Sequence, residues 1–525
     1  MVVPQSDAQQ CEEAIVDATS FGELLDRRVA ATPDSPMITD TGGDAATFAE
    51  FGERVRLRAG ELARLGVGRG TTVCWQLPGE VQTVVTFTAL SVLGARQAPL
   101  LVSHRLRELT SVFTATGPEV VLVAPDGVAV ASDAATAAGV TPRLATLAGL
   151  EPGEPLGGRV DDPELVRYLY ATSGSTGTPK LVAHCDRSLL SWSVGQPLLQ
   201  ELGPADIVAF VIPVAHVGGA YIVGSTLVSG CTAVVTEGFD PQRTPFALAE
   251  HDVTVFSTVP AVYTGLVEAQ RRTPDRTLFP HLRYGASGTA PQTPGLWTEV
   301  RAVLGGRGLL TGYGMSEAGT IAAPVPDSTD EQLTATVGRV MPGLDVRIVG
   351  SDEQVVATGE VGEIRVAGPG VFRGYLDPPT GEVAAGPEVV DAAGYLRTGD
   401  LGRRRADGCL QVTGRLKDVI IRKGENVSPR EVEEVLYGMP GIRDVVVYGI
   451  PDPELGERVC AAVVPAAAAV PTLSDVYDFC VAAGLMVQKI PQRLDVFDEL
   501  PRTALGKPDK VRLREWAHGA GTGRS

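Results

Sequence analysis

The segment YLYATSGSTGTPK, residues 168–180, decides how the rest of this chain is interpreted. It overlaps a predicted strand, VRYLYAT (166–172), which runs into a loop of glycine, serine and threonine closed by Lys180. Glycines let a backbone approach phosphate oxygens, hydroxyl groups donate hydrogen bonds and a lysine adds positive charge. Pro179 stands where a P-loop requires glycine. Such loops are often mere connectors, but the flanking strand, proline and lysine favour anion binding.

Helix and strand patterns alternate around this loop. Apolar residues at helical spacing predict helices in 21–36 and 48–70, and 84–100 is a mostly apolar predicted helix. Short apolar, β-branched runs predict strands in TTVCWQLPG (71–79), EVVLVAP (119–125), ADIVAFVIPV (205–214), CTAVVTE (231–237) and VTVFSTVP (253–260). This alternation predicts a large layered α/β domain with largely parallel strands.

The pattern changes near residue 335. Short strands separated by Gly, Pro and Asp predict a small β-rich subdomain at about 335–414. Beyond Arg415, strands near 444–450 and 459–465 and a helix near 509–517 predict a compact α+β tail. The predicted fold class is therefore α/β, with a small α+β domain at the C-terminal end.

Length and charge exclude several classes of protein. A chain of 525 residues is too long for one hydrophobic core. Its net charge of −18 repels phosphate backbones and anionic lipid, so we expect neither nucleic-acid nor membrane binding. The seven cysteines and six histidines follow no disulfide or zinc-site spacing. Without a signal peptide or a membrane-spanning apolar run, we expect a cytoplasmic protein.

A second motif, TGYGMSEAG, spans residues 311–319. Gly312 and Gly314 flank an aromatic residue suited to stacking on a purine, and Ser316 offers a donor for phosphate. Glu317 offers a carboxylate for magnesium, which prefers one or two carboxylates plus substrate phosphates. The same segment alone is equally compatible with an ordinary turn.

Two further segments carry candidate residues. Asp400 is predicted to end a strand and to accept hydrogen bonds from ribose hydroxyls, and Arg415 to pair with phosphate or ribose oxygens. Lys507 lies in a glycine-flanked loop, LPRTALGKPDK (500–510). By itself this lysine is most simply a solvated surface charge.

In this order, the four segments resemble the adenylate-forming superfamily, which includes acyl-CoA synthetases, aryl-acid ligases, luciferases and nonribosomal adenylation domains. The resemblance covers about residues 20 to 515. The tail, residues 488–515, looks most like that of acid–CoA ligases acting on medium-sized, alicyclic or aromatic acids. Leu181 instead resembles the aryl-acid AMP ligases, since many CoA ligases have glycine there.

The resemblance implies an N-terminal adenylation domain at 1–414, a mobile C-terminal domain at 415–525, and the cofactors ATP, Mg²⁺ and CoA. Lys507, Thr172, Glu317 and Arg415 would be catalytic, with Glu317 holding the metal. The implied nucleotide-binding residues are Thr172, Ser173, Gly174, Ser175, Thr176, Gly177, Lys180, Gly288, Thr289, Ala290, Gly312, Tyr313, Gly314, Met315, Ser316, Asp400, Val412 and Arg415. Lys417 would be the hinge of a domain rotation that brings Lys423 and Gly424 towards CoA.

The resemblance also implies an acyl pocket formed by His216, Val217, Val259, Pro260, Gly285, Ala286 and Ser287. Few charged residues line it, which favours an aryl, alicyclic or short- to medium-chain acid over an amino acid. Thr289 replaces a usual small residue and argues against a long-chain fatty acid. His216 has a second interpretation, as a pocket-wall residue that does not contact substrate.

Three alternatives remain open from the sequence. The predicted function is an acid–CoA ligase acting on a small-molecule acid. The alternative is a stand-alone adenylating enzyme whose acceptor is a carrier protein, an amine or another nucleophile, and this alternative includes activation of a small inorganic acid such as nitrite. A non-catalytic nucleotide-binding protein is disfavoured because Lys180, Glu317, Asp400, Arg415 and Lys507 are all present. The sequence does not indicate an oligomeric state.

Overall fold

The structure is a computed structural model. It describes residues 15, 17–172, 180–288, 295–378, 380–423, 425–466, 470–502 and 508–519, without the side chains of 518 and 519. The chain divides into two compact units. The first comprises Met1–Pro291, Leu296–Asp345 and Val366–Leu396, and the second is built mainly from Val346–Arg365 and Arg397–Ser525.

The helices of the described residues are numbered in chain order. They are α1 (Phe21–Ala31), α2 (Phe48–Arg64), α3 (Val81–Leu93), α4 (Leu106–Thr116), α5 (Val128–Ala138), α6 (Asp186–Leu199), α7 (Gly218–Ser229), α8 (Thr244–Leu248), α9 (Pro260–Arg271), α10 (Leu296–Val303), α11 (Asp330–Ala335), α12 (Pro429–Tyr437), α13 (Leu473–Ala482) and α14 (Lys510–Gly519). Short 3-10 turns, such as Leu416–Asp418, connect some of the elements.

The strands are numbered in the same way. They are β1 (Pro36–Asp40), β2 (Ala45–Thr47), β3 (Thr72–Gln76), β4 (Arg96–Pro99), β5 (Val120–Val123), β6 (Arg143–Ala145), β7 (Val166–Thr172), β8 (Lys180–Cys185), β9 (Ile207–Val211), β10 (Thr232–Val235), β11 (Val255–Thr258), β12 (Tyr284–Ser287), β13 (Leu309–Thr311), β14 (Tyr313–Met315), β15 (Gly319–Ala323), β16 (Arg339–Val340), β17 (Asp345–Val349), β18 (Gly362–Ala367), β19 (Gly374–Leu376), β20 (Val383–Ala384), β21 (Leu396–Arg404), β22 (Leu410–Arg415), β23 (Ile420–Arg422), β24 (Glu425–Val427), β25 (Ile442–Asp452), β26 (Gly456–Pro465) and β27 (Arg493–Val496).

Two large sheets form the centre of the first unit. One has the order β13-β12-β11-β9-β10-β1-β2 and is parallel except for the β1–β2 pair. The other has the order β20-β19-β8-β7-β4-β3-β5-β6, with a parallel part from β7 to β6. In this second sheet β8, β19 and β20 pair antiparallel. The predicted α/β class with largely parallel strands is confirmed.

The predicted helices at 21–36 and 48–70 end earlier, at Ala31 and Arg64, and the one at 84–100 is wrong in its extent. The segment 84–100 was predicted as a single apolar helix, but α3 ends at Leu93. Gly94 caps that helix with a φ of 68°, a left-handed conformation that favours glycine. The residues that follow form β4, a buried strand, so their apolar character comes from the sheet.

The region 335–414 supplies strands to three sheets. β16 pairs with β15, and β19 pairs with β8 in the eight-stranded sheet. Only β17, β18, β21 and β22 form a separate four-stranded sheet. Much of this sheet belongs to the second compact unit, so the units do not divide at residue 414. The boundary implied by the resemblance stays a prediction.

The C-terminal part of the second unit is an α+β structure, as predicted. β25 and β26 pair antiparallel over their length, and β27 pairs parallel with β26. Alternate residues point to opposite faces of this sheet. Helices α12 and α13 contribute to the hydrophobic cluster on one face, and Leu513 and Ala517 of α14 to the cluster on the other. Among the helices that the structure describes, none is long and apolar enough to cross a lipid bilayer.

Candidate active site

The hairpin of β7 and β8 holds the base of the predicted phosphate loop. Thr172 and Lys180 are cross-strand partners, and the Thr172 hydroxyl donates a hydrogen bond to the Lys180 carbonyl at 3.3 Å. The residues between them, including Ser173, Gly174, Ser175, Thr176 and Gly177, lie outside the described residues. The two ends of the predicted loop are thus fixed opposite each other.

Strand β8 presents two chemically different faces. Leu181 and Ala183 point into a hydrophobic cluster. Alternation along the strand places Lys180, Val182 and His184 on the other face. Lys180 is exposed at the start of the strand, whereas His184 is completely buried near its end.

A tyrosine, Tyr375, contacts both this lysine and the predicted metal ligand Glu317. Tyr375 donates its phenolic hydrogen to Glu317 Oε1 at 2.7 Å, and Lys180 Nζ lies 4.8 Å from the Tyr375 ring centroid. Burial, reinforced by the Glu317 carboxylate, raises the pKa of Tyr375, so the phenol stays protonated and can donate. A cation over an aromatic face is attracted by the ring quadrupole. Carboxylate, phenol and ammonium therefore form one cluster.

The motif 311–319 forms a tight β-hairpin. β14 and β15 pair antiparallel, with Ser316 and Glu317 in the turn between them. A side chain on Gly314 would meet the Gly319 carbonyl oxygen at 2.0 Å, and one on Gly319 would meet the Trp192 ring at 2.1 Å. Gly319 also has a φ of 59°. The two glycines are required because the hairpin packs on itself and on Trp192 without space for a Cβ.

Helix α6 supports this hairpin with one face. Ser188, Trp192 and Gln196 are spaced four residues apart, so they line one side of the helix. Trp192 packs edge-on against the His184 ring at 4.8 Å between centroids and donates to the Gly370 carbonyl. Gln196 accepts a hydrogen bond from the Thr320 hydroxyl at 2.8 Å. Helix α6 therefore packs against the hairpin and supports its turn.

The backbone of the turn is held at two consecutive carbonyls. His184 Nε2 lies 2.7 Å from the Ser316 carbonyl oxygen. The Phe372 amide donates to the Glu317 carbonyl at 2.8 Å. Together with the Tyr375 hydroxyl on the side chain, these contacts fix the position of Glu317.

The predicted adenine and acyl residues meet at the carboxyl ends of parallel strands. Thr258, Ser287 and Thr311 are in register at the ends of β11, β12 and β13. The Gly312 amide donates to the Ser287 carbonyl at 2.9 Å, which links the two predicted regions. Ligands of open α/β sheets bind at such strand ends. Gly288 is half-buried there, while Thr289 and Ala290 are outside the described residues.

The remaining predicted acyl-pocket residues lie on the same edge or next to it. Val259 and Pro260 begin α9 directly after β11. His216 and Val217 are half-buried and precede α7. Gly285 and Ala286 are buried in β12. A side chain at Gly285 would meet the Tyr263 ring at 2.6 Å, and the Tyr263 hydroxyl donates to the Ala286 carbonyl at 2.7 Å, so this strand end is closely packed.

Ser287 is buried, and its hydroxyl has no hydrogen-bond partner among the described residues. A buried hydroxyl without a partner is unfavourable by about 1–3 kcal/mol. This side chain is therefore a candidate contact for a polar atom of a bound substrate.

Within the second unit, Asp400 and Arg415 form a cross-strand ion pair. Arg415 Nε lies 2.7 Å from Asp400 Oδ1, and the aspartate side chain is 4% exposed against 49% for the arginine. Asp400 was predicted to end a strand, but it lies in the middle of β21, where antiparallel pairing brings Arg415 of β22 opposite it. Val412 is half-buried in β22.

The predicted hinge and CoA-side residues lie nearby in the sequence. Lys417 is exposed in the 3-10 turn after β22. Lys423 is exposed, with a φ of 49°, and its amide donates to the Leu455 carbonyl at 2.8 Å. Gly424 and Lys507 lie outside the described residues. The flanks of the Lys507 loop meet, since Arg502 and Pro508 form a β-bridge.

Two residues at this site were missed by the sequence reasoning. Tyr375 lies in β19, far in sequence from Glu317, and carried no motif. His184 had a detectable signal, because it is a polar residue on the same strand face as Lys180, four positions away. Both residues come close to the motif residues only because β8 pairs with β7 and β19.

Residues 25–376 match the family described as AMP-binding enzyme, and residues 431–507 match the AMP-binding enzyme C-terminal domain. Sulfoacetate–CoA ligase of Cupriavidus necator is 30% identical over 94% of this chain and 97% of its own.

Two solved structures are similar over nearly their whole length. ATP-bound MatB from Rhodopseudomonas palustris has a TM-score of 0.85 at 27% identity, covering 94% of this chain and 98% of that one. The amide bond synthetase McbA from Marinactinospora thermotolerans has a TM-score of 0.82 at 30% identity, covering 95% and 99%.

The chain belongs to the AMP-binding enzyme family. It has that family's mixed α/β fold, with a large N-terminal domain and a smaller C-terminal one. The protein is an AMP-forming acid–thiol ligase, the activity expected from the four sequence motifs.

Proposed function

We propose that this enzyme joins an aryl, alicyclic or short- to medium-chain carboxylic acid to CoA through an acyl-adenylate. The cluster that unites Lys180, Tyr375 and Glu317 beside the base of the 173–179 loop carries the proposal. It brings a cation for phosphate and a carboxylate for metal to one place in the first unit.

The chemistry of adenylation explains why these groups are needed. The acid is already ionised at pH 7, so its oxygen attacks the α-phosphorus without a general base. This step brings two anions together and transfers charge to the departing pyrophosphate. Positioning and charge stabilisation therefore supply nearly all of the catalysis. Lys180, Arg415 and Lys507 are the proposed cationic contacts.

Magnesium is proposed to bind at Glu317. The donor holding this carboxylate is a neutral phenol, and the structure records no ion pair to Glu317 among the described residues. A carboxylate oriented by a neutral donor suits a hard divalent cation that takes its other ligands from phosphate and water. Bound there, the metal would neutralise charge on the phosphate oxygens.

Lys507 is proposed to bridge the acid carboxylate and the α-phosphate. Lys507→Ala should lower ATP–pyrophosphate exchange by about two to three orders of magnitude, the scale for losing one charge-stabilising group. Lys489→Ala, which removes an ion pair with Glu431 in the same unit, is the matched control. Near-normal exchange in Lys507→Ala would refute this role.

The acid class rests on the pocket residues. Gly285, Ala286 and Val259 are apolar, and Ser287 offers one hydrogen-bonding group. We therefore expect an acid that is largely apolar with at most one polar substituent. Pyrophosphate release should be measured for a panel of aryl, alicyclic, short-chain and long-chain acids, amino acids, dianionic acids and nitrite. Preference for long-chain fatty acids, amino acids or nitrite would overturn the assignment.

A second candidate acceptor is an amine, because a similar structure is that of an amide bond synthetase. The acid chosen by the panel should be incubated with ATP and CoA, an amine mixture or a phosphopantetheinyl carrier protein, and the products identified by mass spectrometry. The CoA proposal predicts an acyl-CoA as the main product. If an amide or an acyl-carrier product formed in preference to acyl-CoA, the acceptor would be the amine or the carrier protein instead of CoA.

The movement of the C-terminal domain and the cellular location of the protein are also proposals. Lys417 would act as the hinge, and Lys423 and Gly424 would approach the thiol substrate after adenylation. The exposure of Lys417 in a short turn supports this role, because its backbone angles can change without disrupting a core. Lys417→Pro should spare pyrophosphate exchange but slow acyl-CoA formation. The protein is proposed to work in the cytoplasm.

A further inference from the structure

His184 connects the strand of the phosphate loop to the turn of the metal ligand. Its side chain has no exposed surface. Nε2 lies 2.7 Å from the Ser316 carbonyl oxygen, and Nδ1 lies 2.9 Å from the Ser188 hydroxyl oxygen. Neither contact belongs to the regular pairing of the sheet. Both ring nitrogens are therefore occupied by specific partners.

The partners determine where the imidazole proton lies. A carbonyl oxygen only accepts hydrogen bonds, so Nε2 must carry a hydrogen. Burial lowers the pKa of His184 to about 4, which keeps the ring neutral near pH 7. Nδ1 then accepts a hydrogen bond, and Ser188 is the donor. Ser188 therefore uses its one hydrogen on His184, although its oxygen also lies 2.9 Å from the Cys185 carbonyl.

The Ser316 carbonyl is an effective place to hold the turn. This carbonyl and the Glu317 amide belong to one planar peptide group. Holding the oxygen therefore fixes the orientation of the peptide plane between Ser316 and Glu317. Phe372 fixes the next carbonyl and Tyr375 the carboxylate. Three donors from three elements, β8, the segment before β19, and β19 itself, hold two adjacent residues.

We propose that His184, as its Nε2–H tautomer, is a positioning residue that orients the Ser316–Glu317 turn for the metal and the α-phosphate. This inference rests on the proposed function, because it assumes that Glu317 binds magnesium. It assigns a histidine outside the four motifs to the active site. It also gives Ser188 of α6 a role, that of selecting the tautomer.

The test compares three variants by their requirement for metal. His184→Leu removes the donor to Ser316, whereas His184→Gln keeps an amide N–H near the position of Nε2. Tyr168→Phe is the matched control, since Tyr168 is the buried cross-strand partner of His184 and its hydroxyl contacts Asp186 at 2.6 Å instead of the turn. All three substitutions alter a buried polar group in the same pair of strands.

Loss of a residue that orients a metal ligand typically costs about 10- to 100-fold in metal affinity. The Mg²⁺ concentration that half-saturates ATP–pyrophosphate exchange should rise by about that factor in His184→Leu. It should return towards the wild-type value in His184→Gln and stay unchanged in Tyr168→Phe. Calorimetric titration with ATP, in Mg²⁺ and in EDTA, provides a readout independent of turnover: His184→Leu should lose affinity only in Mg²⁺.

The tautomer is tested directly on the wild-type enzyme, so the inference does not depend on a variant that folds poorly. In protein labelled with ¹⁵N-histidine, long-range ¹H–¹⁵N spectra should assign His184 as the neutral Nε2–H form near pH 7. A protonated ring or an Nδ1–H tautomer would overturn the inference. So would wild-type metal dependence in His184→Leu.

The two proposals fail in different ways. If the wild-type enzyme neither binds ATP nor exchanges pyrophosphate with any acid, the proposed function is wrong. If the wild type does both, but Mg²⁺ dependence is the same in His184→Leu and wild type, the inference about His184 alone is wrong. Equal losses in His184→Leu and Tyr168→Phe would indicate general destabilisation and would also overturn it.

Discussion

Glu317 in the first unit and Asp400 in the second are carboxylates that the structure holds by different kinds of donor. Glu317 receives a hydrogen bond from the neutral phenol of Tyr375 and lies in a turn whose backbone is fixed on two sides. Asp400 is buried within a sheet and paired with the guanidinium of Arg415. A neutral donor orients a carboxylate without cancelling its charge, whereas a cation orients it and compensates it.

This difference indicates a division of labour. The uncompensated carboxylate suits a metal ion, and the compensated one suits neutral hydroxyl groups such as those of ribose. The two residues look alike in the sequence, each an acidic residue near a glycine and a strand. Dependence on magnesium should therefore separate their variants.

The largest effect is expected at Glu317. Glu317→Gln should lower ATP–pyrophosphate exchange by about two to three orders of magnitude, because it removes the negative charge that holds the metal. Raising the Mg²⁺ concentration should recover part of the loss. Glu250→Gln changes an exposed carboxylate of the same unit and is the control. A loss that is insensitive to metal would remove the contrast with Asp400.

Asp400 should give a smaller and different effect. Asp400→Asn weakens hydrogen bonds to a charged group, worth about 1.5–3 kcal/mol, so the KM for ATP should rise by roughly 10- to 100-fold. The half-saturating Mg²⁺ concentration should not change. Asp452→Asn is a matched control, because Asp452 is 6% exposed and pairs with an Arg458 that is 44% exposed. An altered metal requirement in Asp400→Asn would contradict the division of labour.

Tyr375 tests the neutral donor itself. Tyr375→Phe keeps the ring beneath Lys180 but removes the hydrogen bond to Glu317, so metal affinity should fall about tenfold. Magnesium titrations of pyrophosphate exchange would measure this change. Tyr375→Leu removes the ring as well and should additionally weaken ATP binding measured in EDTA. Identical behaviour of the two variants would mean that the Lys180–ring contact is unimportant.

The last expected effect is on stability instead of activity, and it comes from His184. Its pKa is about 4 in the folded protein, below the ordinary value of 6.5. Between pH 6.5 and pH 4, His184 is protonated in the unfolded chain but stays neutral in the folded protein. The free energy of unfolding that this group contributes above pH 6.5 is therefore lost as the pH falls towards 4. By pH 5 the loss is about 2 kcal/mol.

Gln does not titrate, so the melting temperature of wild type relative to His184→Gln should fall by a few degrees between pH 7.5 and pH 5. Differential scanning calorimetry at both values would measure it. If the difference in melting temperature between the two proteins were the same at both pH values, His184 would take up its proton equally in the folded and unfolded states. That result would argue against its burial as a neutral ring.

The sequence predicted most of the fold, but not the contacts that hold the candidate site residues in place. Thr172, Lys180, Glu317 and Asp400 were chosen as candidates because glycine-rich loops and isolated charges leave a local signal. Tyr375 was not, because its role depends on β19 pairing with β8 across a long stretch of chain.

Two other differences have similarly non-local causes. The extent of the helix in 84–100 was misjudged because a buried helix and a buried strand are both apolar, and only the left-handed Gly94 marks the change. Asp400 was predicted to end a strand, and it is flanked by Gly399 and Gly402. In the structure β21 continues through both glycines, paired to β22.

The central claim is that the Ser316–Glu317 turn is a pre-formed metal site beside the phosphate loop. Crystals of the enzyme with ATP and Mn²⁺, examined by anomalous diffraction, test it most directly. The account predicts a metal peak about 2 Å from a Glu317 carboxylate oxygen, with Tyr375 still on Oε1 and the phosphates reaching the 173–179 loop. A metal bound away from Glu317, or a turn that rebuilds on binding, would contradict it.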